Sequence, residues 1–266
     1  MEAPRQDVEI SALAAGFSLG FGVLTVWEAI KQTRRNRNPL RSIYLYMVWG
    51  EIAASAFLGT MCWLFLKGKV SPTVSVLFFV LVSWLIQIQF LMQIIINRIG
   101  LIAEHRRTIN RIKWGTAAFI TLINIAVFII WIPAHTIPPV PIFVKINNVW
   151  DKVEKVLVLL VDAGLNWYFL RSVKRLVNQH HLTKYAPLVA FNAKMMVVSV
   201  TGDAVLIALM FIRNTLVYGQ FHPVVYLIKL NIEMSMASLI AHVARGGIND
   251  MYPEAHFDSS TGPRSK

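Results

Sequence analysis

The sequence predicts an all-α integral membrane protein, a bundle of seven transmembrane helices. Three observations carry this prediction. Hydrophobic residues make up 56% of the 266-residue chain and charged residues only 15%, too little charge for a soluble domain of this length. The apolar residues gather into long runs separated by short basic segments, the pattern of membrane helices. The runs also lack the period-two alternation that a membrane barrel requires.

The spans fall at roughly 9–30, 42–66, 71–97, 114–135, 153–173, 187–212 and 222–244. At about 1.5 Å per residue, each is long enough to cross about 30 Å of hydrocarbon. The first follows the polar stretch "MEAPRQDVE". That stretch has no basic n-region or cleavage site of a secretory signal, so the first span is expected to stay as an anchor. Cys62, the single cysteine, lies inside the second span. It can form no internal disulfide and is expected to serve as a small packing residue. The third span is the most polar, with Gln87, Gln89 and Gln93. No repeat or long linker divides residues 1–245, which read as one domain. Residues 246–266, "GGINDMYPEAHFDSSTGPRSK", read as a polar, disordered tail.

Orientation follows from the loops. Segments 31–41, 98–113 and 171–186 hold fourteen Lys and Arg residues, Arg98 among them. The alternating segments 67–70, 136–152 and 213–221 hold five. The positive-inside rule then places the N-terminus outside or in the lumen and the C-terminus in the cytosol. An internal membrane such as the endoplasmic reticulum is expected. The net charge of +12 is accounted for by topology, because it lies between the spans and no aromatic–basic RNA motif accompanies it. No nucleic-acid partner is expected. His180 and His181 sit in a basic loop with no Cys or carboxylate at ligand spacing and read as solvated. There is no Asp-rich "DDxxD" run and no phosphate loop, so neither a metal nor another cofactor is implied. Trp114 and Trp150 sit near span ends, where Trp serves as an interface anchor.

Carboxylates inside the spans are costly and so informative. Glu51, in "MVWGEIAASAF", is ten residues from Arg41. At about 1.5 Å per residue that places it near the midplane. Asp203 is ten residues from Arg213, Asp162 ten from Lys152, and Glu233 eleven from His222. Four acids on four helices therefore share one depth. Lys229 precedes Glu233 by four residues, the spacing of an ion pair along one helix face. Asn166 follows Asp162 by one turn, and Trp49 lies close to Glu51 in sequence. Asp162 with Asn166, and Lys229 with Glu233, also fit a purely structural role as helix-to-helix ties. Glu51 and Asp203 lack a cation within a turn on their own helices, which favours function.

Three classes of function accommodate these residues. An acid in a dry, aromatic-lined cavity can start a cation cyclisation of a lipophilic chain. A seven-helix receptor or photosensor is the second class, since Lys229 on the last span invites a retinal Schiff base. Against it, span 3 holds no carboxylate and span 7 no Asn-Pro motif. A transporter or scaffold is the third, although no inverted repeat is visible.

The stretches "NPLRSIYLYMVWGEI", "QIIINRIGLI", "ITLINIAVFIIWIPA", "VEKVLVLLVDAGLNWYFL" and "FHPVVYLIKLNIEMSMASLIAHVAR" resemble those of filamentous-fungal seven-helix membrane proteins of secondary-metabolite clusters. These include an integral membrane protein of the indole-diterpene, paxilline-type clusters. A looser resemblance is to the membrane-bound terpene cyclases of meroterpenoid pathways, which depend on buried acids. That resemblance implies cyclisation of a prenylated or epoxidised lipophilic substrate. Glu51 would be the proton donor and Asp203 its partner, hydrogen-bonding the donor or collecting the final proton. Trp49 would stabilise the cation, and Asp162, Asn166, Lys229 and Glu233 would line the substrate site. Membrane lipid and a lipophilic small molecule are the partners it implies. The alternative is a receptor, or a non-catalytic membrane protein supporting such a pathway.

Overall fold

The computed structural model describes residues 5–36, 38–70, 73–102, 106–135, 140–179, 186–210 and 215–251. Among them the regular structure is helical throughout. The α-helices are α1 (Arg5–Arg35), α2 (Ile43–Leu66), α3 (Val74–Ile102), α4 (Arg106–His135), α5 (Pro141–Gln179), α6 (Ala186–Leu209) and α7 (Thr215–Met251). A single 3₁₀ turn, Pro39–Arg41, precedes α2. The helix α2 ends in a Schellman motif: Lys69 N–H donates to the Leu64 carbonyl and Gly68 N–H to that of Phe65. The reversal needs the left-handed conformation that Gly68 adopts at φ 64°.

Among the described residues six helices, α1 to α6, are long and apolar enough to cross a membrane. The seventh, α7, is not among them; it carries His222, Lys229 and Glu233. Its position explains this. It packs against α1, α2, α3 and α6, so its polar side chains meet protein. Successive helices also pack on one another from α1 through α7. The outward faces are greasy: Leu19, Val23 and Trp27 of α1 and Leu122, Ile125 and Ile129 of α4 are all exposed. Exposed apolar side chains around a polar interior are what lipid selects.

The apolar part of the interior centres on α3. Leu81, Ile88, Leu91, Met92, Ile95 and Ile99 are buried against Ile120, Ile123 and Val127 of α4 and Val158, Leu165 and Phe169 of α5. Their three- and four-residue spacing forms one helix stripe. With apolar lipid outside, such packing stabilises through close contact rather than water exclusion.

Several helices outrun the spans expected from sequence. The helix α3 runs on to Ile102, α4 starts at Arg106, and α5 begins at Pro141. In α4 the extension carries Arg107, Arg111 and Lys113, good helix formers whose long side chains suit the edge of an apolar run. Likewise α7 continues through Met251, past the point at which the tail was expected to begin. Residues 252–266, and His180 with His181, lie outside the described residues.

Candidate functional site

One face of α7 carries Tyr218, His222, Tyr226, Lys229 and Glu233, spaced by three or four residues and all buried. That spacing aligns them in a stripe about 22 Å long. The other helices supply partners to it at successive levels.

At the middle level Lys229 Nζ lies 2.7 Å from both carboxylate oxygens of Asp203 on α6. It also lies 3.2 Å from Oδ2 of Asp162 on α5. Asp162 accepts further bonds from Ser199 Oγ at 3.4 Å and from Asn166 Nδ2 at 3.3 Å. On α6, Gly202 lets the backbone approach α7: a Cβ there would meet Val225 Cγ1 at 3.0 Å. Asp203, the next residue, is thereby carried within reach of Lys229.

One turn further along α7, Arg98 of α3 binds Glu233. Its Nη1 is 2.9 Å from Glu233 Oε2, and its Nη2 donates to Asn166 Oδ1 at 2.8 Å. The guanidinium lies over the Phe169 ring, 4.0 Å from its centroid. The two levels join through Asp162 and Asn166. A continuous chain of polar contacts runs Asp203, Lys229, Asp162, Asn166, Arg98, Glu233, tying α6, α7, α5 and α3.

Two expectations are corrected here. The ion pair suggested by the spacing of Lys229 and Glu233 does not form. Lys229 turns to two carboxylates on neighbouring helices, and Glu233 is met by Nη1 of Arg98 instead. Arg98 itself is not a loop residue. It is 1% exposed and belongs to the interior, so the cytosolic-side tally of basic residues falls by one. The signal was present in its flanks, Ile94, Ile95, Ile96 and Ile99, which extend the apolar run past it.

At the opposite end of the stripe, His222 is sandwiched between Trp84 of α3, at 4.3 Å, and Tyr226, stacked at 4.2 Å. Lys155 Nζ lies 4.3 Å over the Trp84 ring and 3.0 Å from Oε1 of its neighbour Glu154. The sequence reading assigned no role to Tyr218, His222, Glu154 or Lys155. They lie near the predicted span ends, where polar side chains are ordinary.

Glu51 stands apart from these networks. It is fully buried on α2, and neither carboxylate oxygen has a hydrogen-bond partner among the described residues. Lys229 is within electrostatic reach, as is Tyr226. One turn away, Ser55 Oγ accepts a hydrogen bond from Gln87 Nε2 of α3. The expected hydrogen bond between Asp203 and Glu51 is absent, because Lys229 holds both Asp203 oxygens. Trp49 is also misplaced by the sequence reading. It is 38% exposed and donates its indole N–H to Thr33 Oγ1 of α1 at 3.2 Å. Residues two apart on a helix point about 200° from each other, so Trp49 turns away from Glu51. The aromatic faces on the interior side come from Trp84 and Tyr226.

Among the described residues no three His, Cys, Asp or Glu side chains gather to hold a metal ion. No protein-family model matches the chain, and no curated protein or solved structure matches it. The reading of its function therefore rests on the chemistry of these side chains.

Proposed function

We propose that this protein is an intramembrane acid catalyst that cyclises a lipophilic prenylated or epoxidised substrate, with Glu51 as the proton donor. One observation carries the reading. Of the four midplane carboxyls, Asp162 and Asp203 are bound by Lys229 and Glu233 by Arg98, while Glu51 has no partner in contact among the described residues. A carboxyl without a partner is cheaper to bury as the neutral acid than as the anion. A neutral acid in a dry site is equipped to give up a proton.

In this scheme Glu51 protonates an epoxide oxygen or an alkene carbon. The resulting carbocation is attacked by a neighbouring double bond, and a ring C–C bond forms. The last cation loses a proton to the Glu51 carboxylate, which restores the acid, and the product is an isomer of the substrate. In this scheme Tyr226 turns from its stack on His222 to present a face to the cation. Asp203 changes role: held by Lys229, it positions helices. The resemblance to fungal membrane proteins of indole-diterpene and meroterpenoid pathways supports the substrate class. Seven spans, a lumenal N-terminus, a cytosolic C-terminus and residence in the endoplasmic reticulum complete the proposal. The central packing of α7 supports the seventh span, and the bias of basic loops supports the orientation. Expressing the chain in a clean host and feeding prenyl-indoles and polyprenyl epoxides to its membranes tests the reading; isomeric cyclic products are expected.

One observation favours a second reading, a retinal-type sensor. Lys229 on α7 already faces two carboxylates, the counter-ions that span 3 lacks. Visible absorbance of the purified protein, bleached by hydroxylamine, would establish it.

A further inference from the structure

A cleft of 970 Å³ opens on the lipid-facing side between α1 and α2, floored by α7. Its size is at the upper end for small-molecule sites, about 300–1,000 Å³. Its lining runs along α1 from Ala12 to Ile30, about 27 Å at the helical rise, which is close to the hydrocarbon thickness. The cleft exists because its walls are short of side chains: Gly16, Gly22, Ala56 and Gly59 line it. Trp27 and Trp63 mark its two ends, each beneath a lysine, with Lys31 Nζ at 5.7 Å and Lys67 Nζ at 5.0 Å from the ring centroids. Tryptophan and lysine at both ends are interface anchors, so the long axis of the cleft lies across the bilayer.

The chemistry of the lining restricts the occupant. Among the described residues no charged side chain lines the cleft. A phosphate or diphosphate seated within the lining would find no cation, because the two lysines lie over the Trp rings at its ends. The polar groups are neutral: Ser18, Ser55, Thr60 and Gln220. Thr60 is already spent on the Ala56 carbonyl, whereas Ser18 Oγ is buried with no partner among the described residues. Ser55 and Gln220 are buried at the inner wall. Ser55 is also one turn from Glu51, on the same helix.

We propose that this cleft takes the single hydrocarbon chain of a neutral lipid from the bilayer and seats its one uncharged oxygen function, a hydroxyl or an epoxide, against Ser55 and Gln220. The role of the cleft in turnover rests on the reading of Glu51 as the acid. The occupancy of the cleft does not.

The test uses the full chain in phosphatidylcholine nanodiscs and a diazirine-bearing geranylgeraniol as photoprobe, with labelled peptides mapped by mass spectrometry. Labelling is expected within residues 12–30 and 52–63, displaced by geranylgeraniol and not by geranylgeranyl diphosphate. Ala56→Trp plugs the cleft from its lipid side and should cut labelling about tenfold; Gly22→Leu plugs it from α1 should the first variant not fold. Labelling spread over the exposed faces of α4 and α5 overturns the proposal. So does displacement by the diphosphate, or undiminished labelling of a folded plugged variant. Glu51→Gln separates the two ideas. If it still forms cyclic product while labelling stays confined to the cleft, the acid reading fails and the cleft stands.

Discussion

Lys229 holds Asp203 by both carboxylate oxygens, each 2.7 Å from its ammonium nitrogen. One cation on α7 thereby fixes α6, and through Asp162 at 3.2 Å it fixes α5 as well. Buried ion pairs of this kind contribute little net stability while intact, yet removing one partner strands the other. This asymmetry makes the network testable.

Lys229→Met leaves two carboxylates without a cation. It should destabilise the bundle by about 3 kcal/mol or more. Adding Asp203→Asn to it should recover part of the loss, because one stranded charge is removed. Adding Glu233→Gln should recover none, since Glu233 belongs to Arg98. Thermal unfolding in a fixed detergent compares the three. Equal rescue by Glu233→Gln would mean that Lys229 serves Glu233 after all.

Arg98 makes contacts in several directions at once, to Glu233, Asn166, Met236 and the face of Phe169. Arg98→Lys keeps the charge and loses the fork. It should therefore destabilise the protein by about 1–3 kcal/mol rather than behave as a neutral exchange. A melting temperature equal to that of the wild type would show that only the charge matters.

Gly50 of α2 leaves room for the Phe90 ring of α3: a Cβ there would sit 2.5 Å from Cε2 of Phe90. Gly50→Ala should cost about 1–3 kcal/mol through overpacking. Phe90→Leu should relieve it in the double variant. The unfolding midpoints of the two single variants and the double variant form the cycle, and additive effects would deny the contact.

Reporters fused at the N-terminus and after Met251 are expected on opposite faces of the membrane, with residues 31–41 on the same side as the C-terminus. Glycosylation of engineered acceptor sites reads this out. Both termini on one side would remove α7, which is not among the six helices long and apolar enough to cross a membrane, from the list of spans.

The helical class was legible because length and apolarity dominate any membrane sequence, and α2 agrees with its predicted span almost residue for residue. The helix ends were not. Apolarity reports where hydrocarbon ends, whereas the helices of α4 and α5 continue through Arg- and Lys-bearing segments into the interface. The common level of Asp162 and Asp203, which share Lys229, agrees with their spacing, since helical rise is uniform; Glu233 lies one turn further along α7. The partners of these acids could not be read from spacing. Spacing along one helix names neighbours such as Lys229 and Glu233, but rotation of each helix decides which neighbour is met. Trp49 shows the same limit within two residues of Glu51. Arg98 was hidden by a rule that treats basic residues at a run's edge as topology signals, although the isoleucines beyond it carried the opposite message.

Glu51 and the proton it is proposed to carry remain the centre of the account. Glu51→Gln keeps the volume and hydrogen-bonding groups of the side chain but has no transferable proton at neutral pH. The most direct measurement is cyclic product formed per folded protein, wild type against Glu51→Gln, in matched membranes fed with the same polyprenyl epoxide. Asp203→Asn serves as the comparison, since it disturbs the Lys229 network and leaves the acid in place. The account predicts normal folding of Glu51→Gln with conversion lowered by about a hundredfold or more, and a smaller loss, accompanied by lower stability, for Asp203→Asn. Full conversion by folded Glu51→Gln would contradict it.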